Sequence, residues 1–181
     1  MHTILQRVNV RYAVLFYVLT FVNMAFASCT SEGTFEVDDK HSIVKVSDKL
    51  PEFAVILNDG TTLSTSSLTG KPSVVIFFRT TCPDCQKELP IIQTLYETYT
   101  SDVNFICISR AEGNDSVSTY WKEHGLTLPY SSQEDRTVYN LFATQTIPRV
   151  YVADASLTVR SVFVEKASEK ALRKAISALL R

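Results

Sequence analysis

FFRTTCPDCQKELP, residues 77–90, decides how the rest of the chain is read. An apolar run at 74–78 ends in a short polar turn, and Cys82-Pro83-Asp84-Cys85 then opens a segment of helix-favouring residues. Strand, then CxxC, then helix is a redox layout. A cysteine in the first turn of a helix faces unpaired backbone N–H groups and the positive end of the macrodipole, so its thiolate is favoured. Cys82 is that residue. Pro83 fits the position, because a proline at the start of a helix gives up an N–H that had no partner. Cys85 follows one turn later on the same face, within reach of closing a small disulfide with Cys82 or expelling a substrate bound to it. The spacing predicts that Cys82 attacks and Cys85 resolves. Asp84 suits a helix start by its charge, yet opposes a second negative charge at Cys82.

Two other uses of a CxxC compete with this one. A zinc site needs four ligands, and the chain has no second CxxC or closely spaced Cys/His pair. A purely structural disulfide usually closes a longer loop and seldom opens a helix.

The chain has 181 residues, 45% hydrophobic and 20% charged, which suits one domain plus a leader. A formal net charge of -1 leaves no electrostatic footprint for nucleic acid. No glycine-rich phosphate loop is present, and no metal or organic cofactor is implied.

Residues 1–28 read as an export signal: Arg7 and Arg11 precede an apolar stretch at 12–27 that ends in small residues. Asn23 interrupts that stretch, which falls short of the roughly 20 apolar residues of a membrane span. Ala27-Ser28-Cys29 resembles the lipobox of bacterial lipoproteins, whose cysteine becomes the lipid-bearing first residue; Phe26 stands where leucine is usual. Cleavage without lipidation and an uncleaved anchor are the alternatives, and each keeps the domain outside the cytoplasm. Residues 29–46 are polar and mixed in charge and read as a tether, although 43–46 can instead add an edge strand.

The domain is expected over 47–181. Strands are predicted at 53–57 and 61–63 around the turn Asn58-Asp59-Gly60, and at 73–79, 103–109, 149–153 and 157–164. Helices are predicted at 83–99, 114–124, 134–142 and 167–180, the last carrying Ala171, Leu172, Ala175, Ile176 and Leu179 on one stripe. Strands alternating with helices and closing on a hairpin argue for an α/β fold with a mixed central sheet and helices on both faces.

From about Leu50 to Arg181 the pattern resembles the thioredoxin fold with an N-terminal β-hairpin extension. Within that fold it resembles the extracytoplasmic TlpA and ResA-like thiol-disulfide oxidoreductases. The residues that carry the resemblance are L-P-E-F-A-V with N-D-G, the strand before Cys82-Pro83-Asp84-Cys85, the K-E-L-P after it, and Ile147-Pro148 before a strand. The chain departs at Thr81, where tryptophan is common, and at Arg149, where threonine commonly follows the proline. The resemblance implies that Pro148 is a cis-proline facing the CxxC, with Ile147 exposing its backbone to an extended substrate. It also implies that Glu88, three residues after Cys85, accepts the proton of that thiol. A solvated helix glutamate is the competing reading of Glu88 on spacing alone.

The expected protein is thus an exported, lipid-anchored oxidoreductase on the periplasmic side of a membrane, exchanging dithiols with protein disulfides or dithiols. Ile147 before the proline resembles reducing thioredoxins, and the family analogy implies a reductant recharged by a membrane electron donor. Two other classes compete. A peroxiredoxin-like peroxidase usually has threonine three residues before its reactive cysteine, where this chain has Arg79. A Sco-like copper module needs a different cysteine spacing and a distant histidine, for which His124 is the candidate. Cys107 reads as a buried small hydrophobe, Trp121 as packing, and His124 as a residue bonding carbonyls at a helix end.

Overall fold

Every residue of strand β3, Ser73–Phe78, is buried, and its side chains divide between two cores. Val74, Ile76 and Phe78 face one side, while Val75 and Phe77 face the other. That alternation follows from the period of a strand, and a run apolar on both faces belongs at the centre of a sheet. In the computed structural model, which describes residues 40–181, β3 is indeed the middle strand.

Around it run β4, Asn104–Ser109, and β5, Tyr130–Ser131, on one side; β6, Arg149–Ala153, and β7, Val159–Val164, lie on the other. The order is β5-β4-β3-β6-β7, with β3, β4 and β5 parallel and β6 and β7 antiparallel to their neighbours. A separate hairpin of β1, Ala54–Ile56, and β2, Thr62–Ser64, precedes the sheet. Gly60 sits at φ 83 in its turn, a conformation that costs glycine little. Asn58 joins the turn to β5: its N–H donates to Tyr130 O at 2.8 Å, and its Oδ1 accepts from Tyr130 N at 3.0 Å.

Three α-helices pack on the Val74, Ile76 and Phe78 face: α1, Pro83–Tyr99; α2, Asn114–Glu123; and α3, Glu169–Ser177. Trp121 of α2 stacks near Phe78 with centroids 4.9 Å apart, and its indole N–H donates to Leu128 O. On the stripe expected for α3, Leu172, Ala175 and Ile176 are buried. The opposite face is closed by the β1–β2 hairpin and the 3-10 turns Thr65–Leu68 and Tyr139–Leu141. The architecture is the mixed α/β thioredoxin-like sheet with its N-terminal hairpin.

Three expectations change. Helices are expected on both faces, but among the described residues the three α-helices share one, and the other carries the hairpin and the two 3-10 turns. The helix expected at 134–142 shrinks to the turn Tyr139–Leu141. Asp135 Oδ1 accepts from Thr137 N at 2.8 Å, which competes with helical bonding, and Val138, Tyr139, Phe142 and Ala143 must all turn inward together. The tether expected over 29–46 gives way at its C-terminal end, where the chain is already part of the domain. Val44 is buried, the N–H groups of Ile43 and Val44 both donate to Phe142 O, and Thr144 N donates to His41 O. An apolar residue docked over the sheet face outweighs the polar composition around it. The signal expected over 1–28 and Cys29 lies outside the described residues.

Candidate functional site

The end of β3 delivers the chain to the site. Cys82 is the N-cap of α1, with an extended backbone and Pro83 in the first helical turn. Its sulfur accepts a hydrogen bond from Cys85 N at 3.5 Å, so an unpaired N–H of the helix start points at it. The same sulfur lies 3.8 Å from Ile147 O. The Ile147–Pro148 peptide bond is cis. Two segments distant in sequence therefore meet at one sulfur.

Cys82 is half-buried and Cys85 fully buried, and both are free thiols. Burial pushes the Cys85 thiol well above its ordinary value, with Cys82 and Glu88 adding to the shift. Glu88 is only 5% exposed, which sets aside its reading as a solvated helix residue. Burial raises its carboxyl from 4.5 to about 7, the Ala167 backbone N–H opposes this, and Asp84 adds to it. Among the described residues, Glu88 Oε1 is buried without a hydrogen-bond partner. A carboxyl so placed holds or releases a proton near neutrality. Asp84 and Pro83 are exposed, and Asp84 pairs with Lys87 at 2.9 Å.

Beside Cys82 opens a groove of about 610 Å³. Its walls include residues that sequence reasoning did not place there: Arg110, Arg136, Gln145, Thr146 and Glu165. Arg79 lines it too, known beforehand only as a departure from the peroxidase pattern. A signal for two of them existed. Arg79 follows β3 and Arg110 follows β4, and ligands of open α/β sheets bind beyond the carboxyl ends of parallel strands.

Arg149, the departure after the cis-proline, is completely buried. Its Nε donates to Gln145 O and Thr146 O, each at 3.0 Å, and its Nη1 to Ser42 Oγ at 2.8 Å. It ties the loop before Pro148 to the segment that enters the domain.

The Redoxin profile matches residues 45–179, nearly all of the described chain. The chain belongs to the Redoxin family. Among curated relatives, this Redoxin domain is similar to the thiol-disulfide oxidoreductase ResA of Bacillus subtilis. The two are 27% identical over 114 residues, 62% of this chain and 63% of that protein, just under two thirds of its length. The ResA of Bacillus thuringiensis is 24% identical, covering 76% of this chain and 78% of that one. A crystal structure of a thiol:disulfide interchange protein of the thioredoxin family from Chlorobium tepidum superposes with a TM-score of 0.66. It is 27% identical and covers 80% of this chain and all, 100%, of the other.

The competing classes gain nothing from the geometry. Arg79 stands where the peroxidase pattern has threonine. The Nδ1 of His124 lies 2.9 Å from Tyr120 O in its own helix, and its ring stacks on Tyr120 with centroids 3.8 Å apart. Cys107 is buried inside β4, where desolvation raises its thiol.

Proposed function

We propose that this Redoxin domain is an extracytoplasmic thiol-disulfide oxidoreductase that reduces disulfides of protein substrates. The observation that carries the reading is the half-buried Cys82 sulfur at a helix N-cap, 3.8 Å from Ile147 O, with Cys85 buried one turn behind. The resemblance to proteins named thiol-disulfide oxidoreductase supports it.

The substrate lies extended along the Ile147 backbone, with Pro83 at the rim of the groove. Cys82 thiolate attacks one sulfur of the substrate disulfide; the S–S bond breaks, a Cys82–substrate bond forms, and a substrate thiolate leaves. Cys85 then passes its proton to Glu88 and attacks the Cys82 sulfur. The intramolecular disulfide forms, the second substrate thiol is released, and two electrons have moved from enzyme to substrate. Glu88 is suited to this step because an acceptor with a value near 7 takes a proton at neutral pH and gives it back.

A membrane electron donor would restore the dithiol, and lipid attached to Cys29 would hold the domain at the membrane surface. The deciding experiment is the reduction potential of the domain from Lys40 onward, by equilibration with dithiol buffers. A value toward about −270 mV, the thioredoxin range, supports a reductase, and one near about −120 mV reverses the direction. If no reversible two-electron couple appears, the enzymatic reading falls.

A further inference from the structure

Three arginines converge on the Cys82 groove from separate parts of the chain: Arg79 after β3, Arg110 after β4, and Arg136 from the loop before Tyr139. Among the described residues, Glu165 is the only acid in that lining. The whole chain carries a formal net charge of -1, so the positive groove is a local arrangement and not a reflection of composition. Among the described residues, none of the three arginines forms an ion pair. Arg79 Nε is in addition buried without a hydrogen-bond partner.

The arginines are held in place. Arg110 and Arg136 both lie over the ring of Tyr139, each with its guanidinium carbon 5.2 Å from the centroid. That ring is fixed in turn. It meets Phe77 edge-on at 5.4 Å, and its hydroxyl donates to Thr146 O at 2.7 Å, one residue from Ile147. Arg136 Nη2 also donates to Thr144 O. A guanidinium stacked on an aromatic ring keeps its charge and most of its donors while losing little entropy when it binds, and its planar fork fits a carboxylate.

We propose that this side of the groove selects protein disulfides flanked by acidic residues, Arg110 and Arg136 meeting the carboxylates while Cys82 attacks the neighbouring sulfur. The inference rests on the oxidoreductase reading and names the substrate class of that same site. Arg110 and Arg136 are specificity residues, and Arg79, in the same lining, adds to the field.

The test uses three disulfide-bridged peptides identical except at the residues flanking one cysteine, which are Glu, Ser or Lys. Rates of oxidation of the reduced domain are measured at low and at high salt. The Glu peptide is expected to react about tenfold faster than the Lys peptide at low salt, with the ratio falling toward one at high salt. In Arg110→Gln/Arg136→Gln the ratio is expected to fall at low salt as well. Equal rates for all three peptides, or a faster Lys peptide, overturn the inference while the oxidoreductase reading stands. A Glu preference that survives the double substitution overturns the assignment to these arginines. High salt gives a readout on the unaltered chain that does not depend on the variant's folding. A Ser peptide left unreduced removes the oxidoreductase reading, and this inference with it.

Discussion

The sulfur of Cys82 and the carbonyl oxygen of Ile147 stand 3.8 Å apart, although 65 residues separate them in the chain. On the proposed reading the helix start supplies the reactive group and the cis-proline loop the backbone that aligns what it reacts with. That reading divides chemistry and recognition between two segments that meet at one sulfur.

The difference in burial between the two cysteines predicts how they label. Iodoacetamide added to the native dithiol domain should modify Cys82 alone, while Cys85 and Cys107 react only after unfolding. Peptide mapping reads the result. Fast native labelling of Cys85 would contradict its place beneath Cys82. Cys85→Ser should accumulate a mixed disulfide with substrate on Cys82, and Cys82→Ser should form none.

Glu88 gives the domain a pH-dependent stability whose sign follows from its raised value. Below about pH 4.5 the carboxyl is protonated folded or unfolded, and burying it costs little. Between 4.5 and about 7 the unfolded chain releases the proton and the folded chain keeps it, so stability falls as pH rises. The loss amounts to about 3 kcal/mol and levels off above neutrality. Glu88→Gln should flatten that slope, leaving the variant more stable than the parent at pH 8 and close to it at pH 4. Denaturant titrations across this range check it. The same variant should slow release of substrate from the mixed disulfide, which separates its stabilising effect from its catalytic cost.

Arg149 is buried and bonded to the loop and to Ser42, so replacing it removes the guanidinium from Gln145 O and Thr146 O and leaves a void. Arg149→Thr should cost about 3 kcal/mol or more by chemical denaturation. Ser42→Ala removes one bond to that guanidinium and should cost about 1 kcal/mol.

The segment at 41–46 should matter as much as a core element. A domain beginning at residue 46 loses buried Val44, two N–H bonds to Phe142 O and the Ser42 contact. Its melting point should fall by several degrees relative to one beginning at Lys40, on the order of 2–3 kcal/mol of stability. Equal melting curves would show that the segment adds nothing.

What was legible in the sequence was local. Cys82-Pro83-Asp84-Cys85 lies inside seven residues of strand end and helix start, and α1 has the bounds expected of it. Ile147-Pro148 was legible by resemblance to a known pattern. The arginine wall was not, because Arg79, Arg110 and Arg136 meet only after three segments fold together, and each alone looks like surface charge. Arg149 was noted as a departure, but its meaning depends on Ser42, 107 residues away. Composition also misled at 41–46, where one buried valine outweighs its polar neighbours, and at 134–142, where a helical pattern collapsed into a tight turn.

The two chain directions leave the domain very differently placed for anyone who needs a handle on it. His41 is bonded to Thr144, the neighbour of Gln145 in the wall of the groove beside Cys82, whereas Ser177 Oγ lies 3.1 Å from the hydroxyl of Tyr99. Tyr99 closes the 17-residue α1, so that hydroxyl belongs to the end about 25 Å from Cys82. A fluorophore, affinity tag or surface linkage placed past Ser177 leaves the groove clear. The same bulk attached at His41 stands at its edge.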